Sequence, residues 1–354
     1  MRKTYNVAVV GATGAVGTEI LQVLAERRFP VKGVRLLASS RSAGRRLAFN
    51  GSSRKVEALT NRSFNGIDVA LFSAGAARSL EFGPEAVRRG AVVVDNSSAF
   101  RMDPAVPLVV PEVNPEALRR HRGLIANPNC STIILLVPVA PVHRAARLTR
   151  LVVSTYQSVS GAGARAMVQL YEETKSAMRQ LSVGSSAWRV NPKLTTHNSQ
   201  PPTVLPKQIA FNVIPQVDAF LDNASTREEM KLVNETRKIL GQPTLPVSAT
   251  CVRVPVFLAH SEAIWLQTDR PLSVRQARAL LRRAPGVRVV DEPSKGRYPL
   301  PIDAGGRDEV LVGRIRKDDS VRNGLILWVS GDNLRKGAAT NAIQIAEFLV
   351  KGGL

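Results

Sequence analysis

Two cysteines among 354 residues cannot make a disulfide framework, and a chain that leaves them unpaired belongs in a reducing compartment. Long apolar runs are missing as well. The run over residues 133–142 falls far short of the roughly 18 residues that span a membrane, and it contains Pro138. Arg2 and Lys3 precede an apolar stretch, but Gly11 breaks it and a glycine-rich turn follows, which is not a secretory signal. These absences set the expectation of a cytoplasmic protein with no membrane partner. Acidic residues are scarce: 28 against 49 Lys and Arg leave a net charge of +21, which draws phosphates, acidic metabolites or nucleic acid. Aromatic residues make up only 5% of the chain. None interleaves with Arg275, Arg278, Arg282, Arg283 and Arg288 as a base-stacking platform would require. The segment 270–297 reads as a helix with a solvated face, so no specific nucleic-acid partner is expected. What remains, 44% hydrophobic and 22% charged, is globular, at a length that suits two domains.

Residues 6–10 form a strand pattern that runs into Gly11-Ala12-Thr13-Gly14-Ala15-Val16-Gly17, and Ile20, Leu21 and Leu24 then follow at helical spacing over 19–28. Strand, glycine turn and helix open a dinucleotide-binding unit. Backbone without Cβ can approach a pyrophosphate, and the helix N-terminus faces its charge. The spacing G-x-x-G-x-x-G departs from the commoner G-x-G-x-x-G, and alone it is a weak signal. The end of the second strand, residues 33–38, discriminates further. An NAD enzyme places a carboxylate there for the ribose 2′-hydroxyl; this chain has Ser39, Ser40, Arg41 and Ser42, which suit a 2′-phosphate. The expected cofactor is NADP(H). A third strand over 68–72 ends in the small residues Ser73-Ala74-Gly75-Ala76-Ala77, and a helix over 84–89 carries Pro84 in its first turn. A strand over 91–94 ends at Asp95-Asn96-Ser97-Ser98, with Arg101 just beyond, at the carboxyl ends where such sheets bind ligands. Alternation to about residue 135 makes a Rossmann-type, doubly wound α/β domain.

Asn127-Pro128-Asn129-Cys130-Ser131-Thr132 lies between the short apolar segment 123–126 and the longer one at 133–142, which places Cys130 where a strand hands over to a helix. Unpaired N–H groups and the helix dipole favour an anion there, so the thiol is expected to titrate low and to act as a nucleophile. A lone cysteine is more often inert core, and the flanking turn and cap formers bring the two readings of Cys130 level. Beyond residue 150 the texture changes to a strand over 151–157, a second glycine turn over 158–163, helices at 166–181 and 226–240, and a loop at 184–208. Strands at 247–257, 259–269, 310–315 and 325–329 follow, with a last helix at 336–350, an α+β arrangement with a largely antiparallel sheet. His121, His143 and His197 read as surface or loop residues and Cys251 as core. From spacing alone, Glu228 and Lys231 read as an exposed ion pair.

Taken in order, Gly11 to Gly17, Ser39 to Ser42, Asn127 to Thr132, Gln157 to Gly163, Arg253-Val254-Pro255-Val256, His260-Ser261-Glu262-Ala263 and Asp332-Asn333-Leu334-Arg335-Lys336-Gly337-Ala338-Ala339 resemble the aspartate-semialdehyde dehydrogenase family over nearly the whole chain. The resemblance implies an NADP-binding domain at 1–133, completed by a C-terminal helix at 335–354, and a catalytic and dimerisation domain at 134–334, in a homodimer or homotetramer. It implies reversible, NADPH-dependent reduction of L-aspartyl 4-phosphate to L-aspartate 4-semialdehyde and phosphate through a cysteine thioester, on the way to lysine, threonine, methionine and diaminopimelate. It further implies Cys130 as nucleophile, His260 as acid/base and Gln157 as the residue orienting the acyl group. Arg253 would clamp the substrate α-carboxylate, Glu228 its amino group, and Arg101 with Lys231 the phosphate. Cofactor contacts are expected at Gly11, Thr13, Gly14, Ala15, Val16, Ser39, Arg41, Ser42, Ser73, Gly75, Asn96, Ser160, Gly161 and Asn333, with no metal. N-acetyl-glutamyl-phosphate reductase shares the Cys/His logic; the Asn-Pro-Asn-Cys-Ser-Thr run and the Glu228/Lys231 pair favour the aspartate enzyme.

Overall fold

The computed structural model describes residues 3–181 and 204–352. Its first sheet comprises β1 (Tyr5–Val10), β2 (Val31–Ala38), β3 (Arg46–Phe49), β4 (Ser52–Ala58), β5 (Val69–Phe72), β6 (Val92–Asp95) and β7 (Leu124–Ala126), in the order β3-β4-β2-β1-β5-β6-β7. All pairings are parallel except the β3–β4 hairpin. Every residue of β5 is buried, as a parallel strand covered on both faces requires. The chain leaves β1 towards β2 on one side and returns to β5 on the other, which opens a crevice at the carboxyl ends of β1 and β5. Helices α1 (Ala15–Glu26) and α2 (Ala76–Arg88) flank that crevice.

α1 starts at Ala15 rather than Glu19, because the extended Gly14 already serves as its N-cap. α2 is longer than the sequence suggested, and Pro84 stands in its interior instead of its first turn. A proline there cannot donate to the Leu80 carbonyl, so α2 runs on with one backbone bond missing from its interior. The β3–β4 hairpin had no apolar alternation to announce it: β4 is exposed at every position but Val56.

The second sheet contains β8 (Leu148–Gln157), β9 (Val247–Arg253), β10 (His260–Thr268), β11 (Val287–Val289), β12 (Val310–Asp318) and β13 (Gly324–Gly331), in the order β11-β12-β13-β10-β8-β9. The three inner pairings are antiparallel and the two outer ones parallel. Its helices are α3 (Cys130–Ala146), α4 (Ala164–Leu181), α5 (Arg227–Leu240), α6 (Val274–Arg282) and the short α7 (Pro301–Ala304). The arginine-rich segment is therefore a helix, a turn and a strand, with Arg288 on β11. α3 is buried from Ser131 through Val142 and forms the spine of this half's core. A π-helical segment, Arg335–Ala339, then leads into α8 (Thr340–Gly352). Ile343, Ala346 and Leu349 of α8 join Val7 and Leu24 in the core of the first sheet. Cys251 is fully buried, as expected, while His121 and His143 are half-buried. The expected loop at 184–208 lies mostly outside the described residues, and so does His197. No described helix is long and apolar enough to cross a membrane.

Candidate active site

β7 ends at Ala126 and Asn129 caps α3, its Oδ1 accepting from the Ser131 N–H at 2.9 Å and the Thr132 N–H at 3.3 Å. Cys130 is the first residue of the helix. The sheet brings its partner from far along the chain: β8 and β10 are antiparallel neighbours, with Tyr156 opposite Ser261. This register sets His260 beside the end of β8, and its Nε2 lies 3.5 Å from the Cys130 Sγ. His260 Nδ1 accepts from the Ser158 N–H at 3.1 Å. A backbone N–H only donates, so the neutral ring carries its proton on Nε2, facing the sulfur.

α5 supplies the next layer. Thr226 and Glu229 form a capping box at its start and Gly241 closes it in the left-handed conformation. Glu228, Lys231, Glu235 and Lys238 recur at helical spacing, and all four reach the site. Glu228 is only 5% exposed, so it is not the solvated ion-pair member that spacing alone suggested. Its Oε1 accepts from Asn129 Nδ2 at 2.9 Å and Gln157 Nε2 at 3.2 Å, while its Oε2 meets Lys231 Nζ at 3.0 Å. Lys231 also donates to Asp218 at 2.8 Å. Lys238 Nζ donates to the carbonyls of Arg101, Asp103 and Val106, which pins the loop after β6. Arg101 donates from Nε to the Asn127 carbonyl (2.9 Å), from Nη1 to Glu235 (3.1 Å) and from Nη2 to the Asn96 carbonyl (2.7 Å). One N–H on each terminal nitrogen is left for the cleft. Arg253, at the end of β9, donates from Nη1 to the Ser158 carbonyl at 2.7 Å, and its buried Nε has no partner.

A cleft of about 400 Å³ collects these groups. Cys130, Gln157, Arg253, Glu228, Lys231 and Arg101 line it, and so do Val16, Ser73, Gly75, Asn96, Ser160, Gly161 and Asn333 from the expected cofactor set. His260 is fully buried behind the sulfur. Gly11, Thr13 and Gly14 form the turn between β1 and α1 and Ala15 opens α1, none of them lining the cleft, and Ser39, Arg41 and Ser42 lie past the end of β2, with Arg41 exposed. The turn fits a dinucleotide in one checkable respect. Gly11 has φ +86°, and a Cβ there would stand 2.4 Å from the Ser73 carbonyl oxygen, so this approach of the β1 and β5 ends needs glycine. Among the described residues no group of His, Cys, Asp and Glu could hold a metal ion.

The electrostatics correct one expectation. The Cys130 thiol does not titrate low: burial pushes it up to about 12, and the charge of Glu228 adds to the rise. Arg101, Arg253 and the Ser131 N–H pull the other way and lose. Part of the helix N-terminus is already spent on Asn129 Oδ1, which weakens the local argument for a thiolate. His260 is held well below its ordinary value by burial and by Arg253, so it is neutral. Glu262, fully buried on β10 with neither carboxyl oxygen partnered, is pushed well above the carboxylate range by burial and by Glu228. The sequence analysis missed Glu235 and gave Glu262 and Gly337 no role, although both stand in the segments that carry the resemblance. A Cβ on Gly337 would meet the Cys130 Cβ at 2.9 Å. The one available signal was Glu235 standing seven residues after Glu228, two turns along the same helix face.

Two family models match the chain, described as semialdehyde dehydrogenase, NAD binding domain, over residues 6–121 and semialdehyde dehydrogenase, dimerisation domain, over 139–336. An aspartate-semialdehyde dehydrogenase of Aquifex aeolicus is 52% identical over 353 residues, covering 99% of each chain. A crystal structure from Vibrio cholerae, described as aspartate semialdehyde dehydrogenase II complexed with ASA, superposes with a TM-score of 0.90 at 46% identity over 99% of each chain. A structure of the Candida albicans aspartate semialdehyde dehydrogenase with NADP has a TM-score of 0.73 at 25% identity, covering 98% of each chain.

Proposed function

The chain belongs to the aspartate-semialdehyde dehydrogenase family, oxidoreductases that reduce aspartyl phosphate to the semialdehyde with loss of phosphate, and from that premise we propose how its own residues divide the work. Cys130 attacks the acyl carbon. The thioester forms as phosphate leaves, and the thiol proton ends on the departing hydrogen phosphate, so the sulfur need not rest as a thiolate. Arg101, with its two free N–H groups, and Lys231 receive the phosphate charge. Arg253 forks the α-carboxylate, and Glu228 takes the ammonium group. That ammonium also offsets the charge that helps to hold the thiol up, so a bound substrate makes Cys130 more reactive. Gln157, held through Nε2 at 2.9 Å from Ser131 Oγ, orients the acyl oxygen. The nicotinamide cofactor, when bound, supplies the hydride that reduces the thioester. His260 Nε2–H hydrogen-bonds the oxygen that gains charge on reduction; as the aldehyde carbonyl forms, the C–S bond breaks and a proton from solvent restores the Cys130 thiol.

We read the cofactor as NADP(H). Arg41, Ser39 and Ser42 follow β2 with no carboxylate among them, a set that suits a 2′-phosphate. The domain division is 1–133 with 335–354, against 134–334, supported by the packing of α8 on the first sheet's core. A cytoplasmic homodimer or homotetramer is the assembly. Val168, Tyr171 and Met178 expose one apolar face of α4, within the part of the chain matched by the dimerisation-domain model.

The observation that carries the reading is the 3.5 Å approach of Cys130 Sγ to His260 Nε2 in a cleft that also holds Arg253, Arg101 and Lys231. The test is a spectrophotometric assay with aspartate semialdehyde, phosphate and NADP. Phosphate-dependent NADPH formation is expected; a clear preference for N-acetyl-glutamate semialdehyde as substrate overturns it.

A further inference from the structure

Glu235 is a carboxylate only 1% exposed, on the face of α5 that carries Glu228, Lys231 and Lys238. Its two oxygens serve different masters. Oε1 accepts from Arg101 Nη1 at 3.1 Å, and Oε2 accepts from the backbone N–H of Asn129 at 2.7 Å, one residue before Cys130. A buried charge is tolerated only when paired, and here both of its partners belong to the reacting end of the site. Arg101 does not depend on Glu235 for its place. Its Nε and Nη2 stay bonded to the Asn127 and Asn96 carbonyls, and Lys238 holds the Arg101 carbonyl at 2.7 Å. Removing the carboxylate therefore changes the net charge an incoming anion meets more than it changes the guanidinium's position. Lys231, the other cation assigned to phosphate, is also pre-paired, with Asp218 and Glu228. Both cations thus face the cleft with a carboxylate already in contact, an arrangement that lowers their hold on a dianion and eases its departure.

We infer that Glu235 is a positioning residue that sets how tightly Arg101 holds phosphate and, through the Asn129 N–H, ties that cation to the turn presenting Cys130. The inference rests on the assignment of phosphate to Arg101. In the oxidative direction, Glu235→Gln lowers the KM for phosphate by roughly three- to tenfold, because a countercharge at contact distance is lost. The KM values for semialdehyde and NADP stay within about twofold, since neither ligand is assigned to Arg101. Glu235→Asp, one methylene shorter, falls between wild type and Gln, and it decides the matter alone if the Gln variant does not fold. A merely structural role lowers thermal stability without this selective, graded change in one KM. An unchanged or raised KM for phosphate, or all three KM values moving together, overturns the inference. Arg101→Lys separates the two layers: it raises the KM for phosphate by about tenfold or more through loss of the guanidinium fork. If it does not, the assignment of phosphate to Arg101 falls; if it does while Glu235→Gln has no effect, only the role given to Glu235 falls.

Discussion

Cys130 and His260 are 130 residues apart in the chain and 3.5 Å apart in space, one at the tip of a buried helix and the other at the start of a strand two places from a sheet edge. Both rest uncharged: burial raises the thiol and depresses the imidazole. The pair proposed to react is a thiol beside a neutral ring, and this separates it from a standing thiolate–imidazolium pair.

That difference is measurable by alkylation. With no ligand bound, the rate at which iodoacetamide labels Cys130 should climb from about pH 7 to about pH 10 without levelling, since reactivity follows the thiolate fraction. Cys251 is fully buried and does not compete. The folded state keeps a proton that an unfolded cysteine releases near 9.0, so this group's stabilisation is intact below that pH and is lost as pH rises towards 12. A plateau at or below neutral pH refutes the assignment. Cys130→Ala should abolish turnover while NADPH binding, followed by fluorescence, persists.

Glu262 offers a second titration with the same sign. Its folded-state affinity for a proton is raised from an ordinary 4.5, so its contribution is fully present below that value and declines as pH rises through the folded pKa. Relative to Glu262→Gln, which cannot ionise, the wild-type melting temperature should fall progressively as pH rises above 4.5. A difference that does not vary with pH shows that the carboxyl does not titrate this way.

Arg41 stands exposed beyond β2, where the ribose 2′ substituent is placed by the proposed binding mode. Arg41→Glu should raise the KM for NADPH by about tenfold or more and leave NADH use nearly unchanged, because only the former presents a phosphate to it. Steady-state kinetics with both cofactors decide this. Equal losses contradict the 2′-phosphate assignment.

Gly337 belongs to the π-helical segment that packs on Cys130, the proposed nucleophile. Its Cβ would lie 2.9 Å from that of Cys130, so Gly337→Ala must shift the cysteine or the segment. A displacement of several tenths of an ångström at a nucleophile costs on the order of ten- to a hundredfold in kcat. The KM for NADP should hardly move. Wild-type kcat in the folded variant would show that the contact does not govern the sulfur.

The parts that were legible in the sequence are those governed by local rules. The β1 turn into α1, and the cap at Asn129 that starts a helix on Cys130, follow from glycine spacing and capping chemistry within a few residues. The parts that were not depend on what folds over them. A helix N-terminus argues for a thiolate, but burial and Glu228 are supplied by distant elements and outweigh it. Pro84 looks like a helix start, but α2 runs through it, with Ser79, Phe82, Gly83 and Ala86 buried on both sides of the missing bond. Glu228 and Lys231 read as a surface pair because spacing cannot report that α5 lies against the cleft.

α3 is buried along its length from Ser131 to Val142, wedged against the second sheet with Ile134 in contact range of Gly331. Each fully covered Ile, Leu or Val there contributes about 1.5–3 kcal/mol, so trimming one destabilises the protein. The same rod begins at Cys130, whose sulfur is the proposed nucleophile. Substitutions that a survey would file under packing, such as Ile134→Val, should therefore also show up as slowed chemistry in molecules that remain folded, and along this helix robustness and turnover cannot be altered separately.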